Sequence, residues 1–320
     1  MEVFSFVRKK VSVIGAGQTG ASTAQRIIQA GYADIVLTDV VEGLAEGKAL
    51  DLQESAPIVG FDALVTGVTT TPDGKGYEAT ANSDLVIITS GVPRKPGMSR
   101  DELLAVNQQV ITTVVQAIVR YSPECVIVML TNPVDAMTQL AYKVSGFPSN
   151  RVVGQAGILD TARYKTFIAL ELGVSFQNVD AYVLGGHGDA MVPLPRYTIV
   201  GGRPLTSLLP ADKIEAIVER TRRGGEEIVK LLKTGSAFYA PSAALAEMAN
   251  AILLDQKRIL PCCAYLTGQY GINGLYVGVP VKLGQNGVEE IIEFALTSDE
   301  SRALQQSANA VRSLVQAMKI

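Results

Sequence analysis

The chain contains a single histidine, His187, which lies in the run GGHGD. Histidine is the one side chain whose ordinary pKa falls in the physiological range, so enzymes that move protons at neutral pH often use it. The glycines on either side predict a tight turn that presents the ring to a ligand. A structural histidine in a loop fits the same five residues, and other parts of the chain must decide between the two interpretations.

Polar side chains occur in three other segments where chemistry is expected. The loop GVPRKPGMSR follows a predicted strand and carries Arg94 and Arg100, which predicts a lid that recruits an anion, although a solvated basic loop is the alternative. Asn132 follows the next buried strand, in a TNP sequence that is also an ordinary turn signal. Asp160 and Arg163 are spaced to lie on the same side of a helix start, but a helix cap with a surface ion pair fits them equally.

The glycine-rich run GAGQTG follows a predicted strand and opens a predicted helix, which is the context of a dinucleotide-binding turn. Gly15 permits the turn, Gly17 allows a pyrophosphate to approach the backbone, and Gly20 allows close packing of helix and strand. The helix N-terminus would face the phosphates. Asp39, nineteen positions after Gly20, suits a ribose 2′-OH and would repel a 2′-phosphate. NAD is therefore favoured over NADP, while the glycines alone do not distinguish NAD from FAD.

These residues need a scaffold, and the first half of the chain predicts one. Short runs rich in Val and Ile alternate with amphipathic stretches such as 18–30 and 99–120. Strands are predicted at 11–14, 35–38, 64–66, 85–89 and 126–130. Such alternation predicts the α/β fold class, with a doubly wound parallel sheet that is covered by helices on both faces.

The second half has a different pattern and predicts an α+β catalytic domain. Longer helices are predicted at 160–172, 212–234 and 242–255, short strands at 180–184 and 274–280, and a closing helix from 298. We predict a boundary near residue 150, with a NAD-binding Rossmann domain at 1–150 and a catalytic domain at 151–320. Residues 1–8 form an extra N-terminal arm to which the sequence assigns no role.

Composition excludes several function classes. The 320 residues are 48% hydrophobic and 18% charged, which indicates a globular protein, and a net charge of -3 gives no basic surface for nucleic acid. The three cysteines do not form a disulfide framework, and with one histidine they predict no metal site. The sequence has no apolar run near the ~18 residues of a membrane span, and we expect no signal peptide. We therefore expect a cytoplasmic protein with a small-molecule substrate and neither membrane nor nucleic-acid partners.

Five motifs, taken together and in order, resemble one known family from Lys9 to the C-terminal helix. They are GAGxxG with Asp39, GVPRKPGMSR, TNPVD, GQAGILDTARY and GGHGD. The chain resembles the lactate/malate dehydrogenase family, and within it the malate dehydrogenases of the lactate-dehydrogenase-like type. The resemblance implies a Rossmann domain that binds NAD, a catalytic domain after it, and a homodimer or homotetramer.

The resemblance also implies roles for individual residues. His187 would exchange a proton with the substrate C2 oxygen, and Asp160 would orient the ring and stabilise its charged form. Arg163 would clamp the C1 carboxylate, which suits a planar guanidinium. Arg100 would arrive with the lid and polarise the C2 carbonyl, while Asn132 would contact the substrate oxygen and help to place the nicotinamide.

Specificity and the remaining cofactor contacts follow from the same resemblance. Arg94 occupies the position where lactate-specific relatives carry glutamine, and it would pair with the second carboxylate of a four-carbon diacid. An unpaired carboxylate under a closed lid would cost several kcal/mol. Gln18 and Asn107 would join Gly15, Gly17, Gly20, Asp39 and Asn132 in the cofactor site.

Three alternative functions are weighed against malate oxidation. The first is a dehydrogenase for another 2-hydroxy acid such as lactate. The second is an NAD-dependent glycosidase, which needs a metal held by Cys and His that the lone His187 does not match. The third is an inactive dinucleotide-binding module, which would bind NADH without turning over oxaloacetate.

Overall fold

The first half of the chain forms a parallel sheet. The structure, a computed structural model, describes residues 8–92 and 100–318, apart from the side chains of residues 100 and 101. The parallel strands are β1 (Lys9–Ile14), β2 (Ala33–Asp39), β3 (Val65–Thr69), β4 (Leu85–Ile88), β5 (Val126–Met129) and β6 (Val152–Gly154). Their order is β3-β2-β1-β4-β5-β6, so the chain reverses direction across the sheet between β1 and β4. Ligands of such sheets bind at the carboxyl ends of the strands beside this reversal.

Helices cover both faces of the parallel sheet. They are α1 (Gln18–Gln29), α2 (Leu44–Glu54), the short α3 (Ala56–Val59), α4 (Arg100–Tyr121) and α5 (Val134–Ser145). Strand β4 shows why its sequence is apolar throughout: Leu85 and Ile87 pack in the core on the α1 side, whereas Val86 and Ile88 pack in the core on the α4 side. The predicted doubly wound α/β class is confirmed.

Helix α4 is the most apolar long helix of this half. Its segment Glu102–Tyr121 is the one helix in the described residues that is long and apolar enough to cross a membrane. Its apolar face is used inside the fold, since Ile111, Val115 and Ile118 are fully buried in the core that contains alternate residues of β4 and β5. Core packing therefore accounts for the composition of α4.

The second half extends the same sheet. Its helices are α6 (Gly157–Leu172), α7 (Ala211–Arg222), α8 (Gly224–Leu232), α9 (Tyr239–Leu253) and α10 (Ser298–Ala317). Its strands are β7 (Val179–Asp180), β8 (Val183–Leu184), β9 (Val192–Pro193), β10 (Ile199–Val200), β11 (Arg203–Pro204), β12 (Arg258–Thr267), β13 (Asn273–Gly284) and β14 (Gly287–Ile291). Strand β12 pairs antiparallel with β6 at Cys263 and Gly154, so β12, β13 and β14 complete a nine-stranded sheet. The division of the chain at residue 150 stays a prediction.

Several predicted elements differ from the observed ones. The helix predicted at 212–234 is two helices that break at Arg223, directly before the helix-weakening pair Gly224 and Gly225. The strand predicted at 180–184 is two short strands in separate sheets, β7 and β8. The strand predicted at 274–280 is the middle of the longer β13.

Several elements were not predicted, among them the short α3, β6, β9, β10 and β11. Four others show why the sequence pattern was ambiguous. Strand β12 contains Pro261, a residue that argues against a central strand. Helix α5 is buried over most of its length, and its polar residues Asp135, Thr138 and Gln139 are buried with it, so the polarity of its sequence does not mark an exposed face. Helix α2 contains Gly47 in its middle, and β14 is only five residues long.

Candidate active site

The turn after β1 is shaped by glycines. Gly15 has φ +107°, a conformation that favours glycine, and a Cβ on Gly20 would lie 1.8 Å from the Gly15 carbonyl oxygen. Helix α1 can therefore approach β1 closely. A Cβ on Gly17, in contrast, would meet no atom within 4 Å, so Gly17 borders open space at the end of the strand.

This open space fits the pyrophosphate of a dinucleotide. Helix α1 begins at Gln18, has no side-chain cap, and leaves Gly17 and Gln18 exposed. The first amide groups of a helix lack partners within the helix, and together with the helix dipole they favour a bound anion. The residues present thus suit the phosphates of NAD.

Two charged side chains, those of Asp39 and Lys48, form hydrogen bonds with the backbone N–H and carbonyl groups of Ala16. Its N–H donates to Asp39 Oδ2 at 2.7 Å, and its carbonyl oxygen accepts from Lys48 Nζ at 2.7 Å. The other carboxylate oxygen of Asp39 accepts from the N–H of Val41 at 3.0 Å. Asp39 therefore lies half-buried at the end of β2, next to the turn, where the ribose was predicted. Lys48 was not singled out from the sequence.

Asn107 joins the loops that follow β4 and β5. Its side chain is buried; Oδ1 accepts from the N–H of Val92 at 2.8 Å, and Nδ2 donates to the carbonyl oxygen of Asn132 at 2.8 Å. The amide group of Asn107 thus holds the protein backbone, so its predicted contact with the cofactor stays a prediction. The Asn132 residue is exposed at the same edge of the sheet.

The predicted lid falls largely outside the described residues. Arg94 lies between 92 and 100 and is not described, so its predicted role is untested. Arg100 begins α4, but its side chain is also outside the described part of the chain. Both arginines remain predictions.

The turn between β8 and β9 carries His187. Three consecutive backbone N–H groups, those of residues 185–187, donate hydrogen bonds to three different elements. Their acceptors, each at 2.8 Å, are the Gly278 carbonyl oxygen of β13, the Ser307 hydroxyl of α10 and the Asp135 carboxylate of α5. The His187 backbone is therefore fixed by parts of the chain that are far apart in sequence.

The ring of His187 faces the start of α6. Nδ1 lies 2.8 Å from Oδ2 of Asp160, and the other oxygen of Asp160 accepts from a terminal nitrogen of Arg163 at 3.3 Å. Helix α6 begins at Gly157, so Asp160 is in its first turn and is not the cap. Burial lowers the pKa of His187, but the charge and hydrogen bond of Asp160 outweigh this effect, so the pKa lies above its ordinary value of 6.5.

Arg163 occupies a space that two glycines leave open. A Cβ on Gly224 would lie 3.0 Å from Cδ of Arg163, so a side chain there would displace the arginine. Its Nε is buried and has no hydrogen-bond partner among the described residues. A buried donor without an acceptor is uncommon in proteins and suits a ligand carboxylate.

Comparison with known proteins decides the family. Residues 9–154 match the model of the lactate/malate dehydrogenase NAD binding domain, and residues 158–319 match that of the lactate/malate dehydrogenase alpha/beta C-terminal domain. The chain belongs to the lactate/malate dehydrogenase family. It is accordingly an NAD-dependent oxidoreductase whose first domain binds NAD.

Individual members of the lactate/malate dehydrogenase family are similar over nearly their full length. A malate dehydrogenase from Thermomicrobium roseum is 59% identical over 98% of this chain and 99% of its own. The solved malate dehydrogenase of Salinibacter ruber is 50% identical, with a TM-score of 0.91 and 97% of each chain covered. A lactate dehydrogenase of Cryptosporidium parvum, solved with lactic acid and NAD, is 41% identical, with a TM-score of 0.93 and 98% of each chain covered.

The family site also contains residues that the sequence did not reveal. Asp135, Ser307 and Gly278 hold the histidine turn, and the motif TNPVD was the one sequence signal that contained any of them. The three cysteines are buried and free, which agrees with the absence of a disulfide framework predicted from their number.

Proposed function

We propose that this family member is a malate dehydrogenase, which oxidises (S)-malate reversibly to oxaloacetate with NAD. One observation carries the proposal: the single histidine is paired with Asp160, which also pairs with Arg163, in a chain that is 59% identical to a malate dehydrogenase. Oxidation of a 2-hydroxy acid releases a hydride and a proton, and bound NAD accepts the hydride. The protein must therefore supply a base for the proton.

We assign this base to His187. Because Nδ1 faces the Asp160 carboxylate, the neutral ring carries its proton on Nδ1 and leaves Nε2 free to take the hydroxyl proton. Asp160 then stabilises the imidazolium that forms. The side chain of His187 is 20% exposed, so a small substrate can reach it. In the reverse direction the protonated ring donates to the C2 oxygen of oxaloacetate.

We assign the substrate carboxylates to two arginines. Arg163 binds the C1 carboxylate, supported by its unpaired Nε and by the space that Gly224 leaves for its stem. Arg94 binds the second carboxylate, as the resemblance to malate dehydrogenases implies. Arg100 polarises the carbonyl and Asn132 contacts the same oxygen. The cofactor contacts are assigned to Gly15, Gly17, Gln18, Gly20, Asp39, Asn107 and Asn132.

An assay of NADH oxidation with oxaloacetate and pyruvate side by side tests this proposal. We expect kcat/KM to be higher with oxaloacetate; a higher value with pyruvate would establish the lactate-type alternative. Arg94→Gln should move the ratio toward pyruvate by about tenfold or more, since a buried charge pair is lost. Lys95→Gln removes the same charge from the same loop and should leave the ratio unchanged. An equal effect of both variants would refute the role of Arg94.

We also propose that the enzyme is a cytoplasmic homo-oligomer, either a dimer or a tetramer. Leu50 of α2 and Ile58 and Val59 of α3 are apolar and exposed on consecutive helices, a feature common to subunit interfaces. The buried free cysteines suit a reducing compartment. Light scattering after gel filtration tests the assembly: the mass should be a multiple of 33.9 kDa, and Ile58→Glu should lower it. A monomeric wild-type protein would contradict the proposal.

A further inference from the structure

Asp135 is a buried carboxyl group to which the proposed reaction assigns no role. It lies in the first turn of α5, is 4% exposed, and accepts a hydrogen bond from the His187 N–H at 2.8 Å through Oδ2. Its other oxygen, Oδ1, is buried and has no hydrogen-bond partner of good geometry among the described residues. A carboxyl group that is costly to bury and only half satisfied calls for an explanation.

Burial disfavours the ionised form of this group, and several neighbouring features oppose that effect. The first turn of a helix is the positive end of its dipole, and α5 places Asp135 there. Burial raises the pKa of Asp135 overall, and the charge of Asp160 acts in the same direction. The N–H of His187, the thiol of Cys263 and the charge of His187 each lower this pKa. The thiol of Cys263 on β12 lies beside the carboxyl group, and burial raises the pKa of that thiol well above its ordinary value, so it remains protonated. The thiol therefore adds no second negative charge beside Asp135.

Among the described residues, the charged groups that act on His187 come from two helices. Asp160 and Arg163 lie on α6, and Asp135 lies on α5; both carboxylates favour the protonated ring, whereas Arg163 opposes it. The other two elements that hold the turn contribute uncharged groups, namely the Ser307 hydroxyl of α10 and the Gly278 carbonyl of β13. Within the described part of the chain, Asp135 is thus the carboxylate that both holds the backbone of His187 and acts on the charge of its ring.

The position of Asp135 also connects the His187 turn with the segment that carries Asn132. Asn132, which is assigned to the substrate and nicotinamide, lies three positions before it, in the segment between β5 and α5. A shift of the start of α5 would therefore move Asn132 and the acceptor of the His187 N–H together.

We infer that Asp135 is a positioning residue, which fixes the His187 backbone to the start of α5 and, as an anion, helps to keep the proton on the ring. This inference rests on the proposed role of His187 as proton acceptor. It does not rest on which 2-hydroxy acid is the substrate. Ionisation of the two groups is coupled, because each charge stabilises the other in a buried site.

The variant Asp135→Asn separates charge from shape. The amide oxygen can still accept from the His187 N–H, but the negative charge is gone. We expect the pKa of His187 to fall by about 0.5 to 1 unit, as the loss of a nearby opposite charge predicts. The control is Ser307→Ala, which removes the neighbouring hydrogen bond of the turn but no charge, and should leave this pKa in place.

Nuclear magnetic resonance measures this pKa directly, since the chain has one histidine and hence one ring Cε1–H signal. Measurement on tag-free protein does not depend on turnover, so it distinguishes failure of the inference from failure of the proposed function. The pH profile of kcat/KM for oxaloacetate should shift by the same amount. An unchanged pKa in Asp135→Asn, or an equal shift in Ser307→Ala, would overturn the inference.

A second measurement applies to the wild-type protein, in case the variant does not fold. Labelling with ¹⁵N-histidine gives a single backbone amide signal, that of His187. We expect its proton to resonate downfield, as for a donor to a carboxylate, and to move upfield in an acid step that is separate from the ring titration. An amide signal without a downfield shift or without such a step would contradict the inference.

Discussion

Two glycine-rich turns lie at the centre of this molecule, residues 15–20 after β1 and residues 185–188 after β8, and they use glycine differently. In the first turn, the amides of Gly15 and Ala16 are bonded within the protein, but Gly17 borders open space and the start of α1 is uncapped, so the amides at the helix start face a ligand site. In the second turn, the successive amides of residues 185–187 are all bonded within the protein.

The difference follows from what each turn has to do. A turn that binds phosphate needs unsatisfied N–H groups that a ligand can reach. A turn that carries a proton-transfer ring needs a fixed backbone, because small displacements of a catalytic group reduce the rate strongly. Gly278 contributes to this fixed backbone from the opposite side, since a Cβ there would lie 2.3 Å from the Gly185 carbonyl oxygen.

The variant His187→Asn has the largest expected effect and tests whether the two turns have separate roles. Removing the proton acceptor should lower kcat by about 10³-fold or more, in line with general acid–base catalysis, since the chain has no other histidine. Binding of NADH, which depends on the other turn, should keep its dissociation constant within about twofold. Stopped-flow turnover and fluorescence titration measure the two effects. Loss of both functions together would mean that the turns do not act independently.

Removing the partner of the ring is the next largest change. Asp160→Asn should lower the pKa of His187, because Asp160 is what raises it above 6.5 against the effect of burial. Malate oxidation needs the neutral ring, so its kcat/KM rises as pH increases through this pKa, and oxaloacetate reduction falls over the same range. Both curves should move to lower pH in the variant, with a loss in rate of about 10²-fold. The control is Glu171→Gln, an exposed residue of the same helix that pairs with Lys213; it should leave both curves in place.

A matched pair of glycine variants tests the two turns against each other. In Gly278→Ala the new Cβ should push the histidine turn and lower kcat by about tenfold, with NADH binding retained. In Gly20→Ala the Cβ would lie 1.8 Å from Gly15 O, so the nucleotide turn must move and NADH binding should weaken by about tenfold. Each overpacked site should also cost about 1–3 kcal/mol in free energy of unfolding. If both variants lost kcat and NADH binding to the same extent, the separate roles of the two turns would be refuted.

A change of similar size, confined to one ratio, concerns the choice of cofactor. Asp39→Asn keeps an acceptor for the N–H of Ala16 but removes the charge that repels a 2′-phosphate. The ratio of kcat/KM for NADPH to that for NADH should rise about tenfold, while the pH profile of His187 stays unchanged. Steady-state assays with both cofactors measure this ratio. An unchanged ratio would show that Asp39 does not govern the choice.

Local patterns predicted much of this molecule, and contacts between distant segments account for what they missed. The glycines of residues 15–20 and the pair Asp160 and Arg163 could be interpreted because each works over a few neighbouring positions. Asp135 and Ser307 could not, since they reach the histidine turn from 52 and 121 positions away in the sequence. Strand β12 was missed because local rules disfavour Pro261, whereas pairing with β13 and β6 determines its structure.

For the predicted lid, local sequence patterns did not assign roles to individual residues. The roles of Arg94 and Arg100 came from the resemblance to a family, and neither side chain lies in the described part of the chain. Substrate specificity is accordingly the part of the site that depends most on the kinetic comparison of oxaloacetate with pyruvate.

The central claim is that His187 exchanges the proton of the reaction. Its most direct test is to measure, on the enzyme saturated with NAD, the pKa of the ring by nuclear magnetic resonance and the pKa in the pH profile of kcat/KM for malate. The two values should agree, and both should lie above 6.5 because of Asp160. A kinetic pKa that differs from that of the ring, or that persists in His187→Asn, would contradict the account.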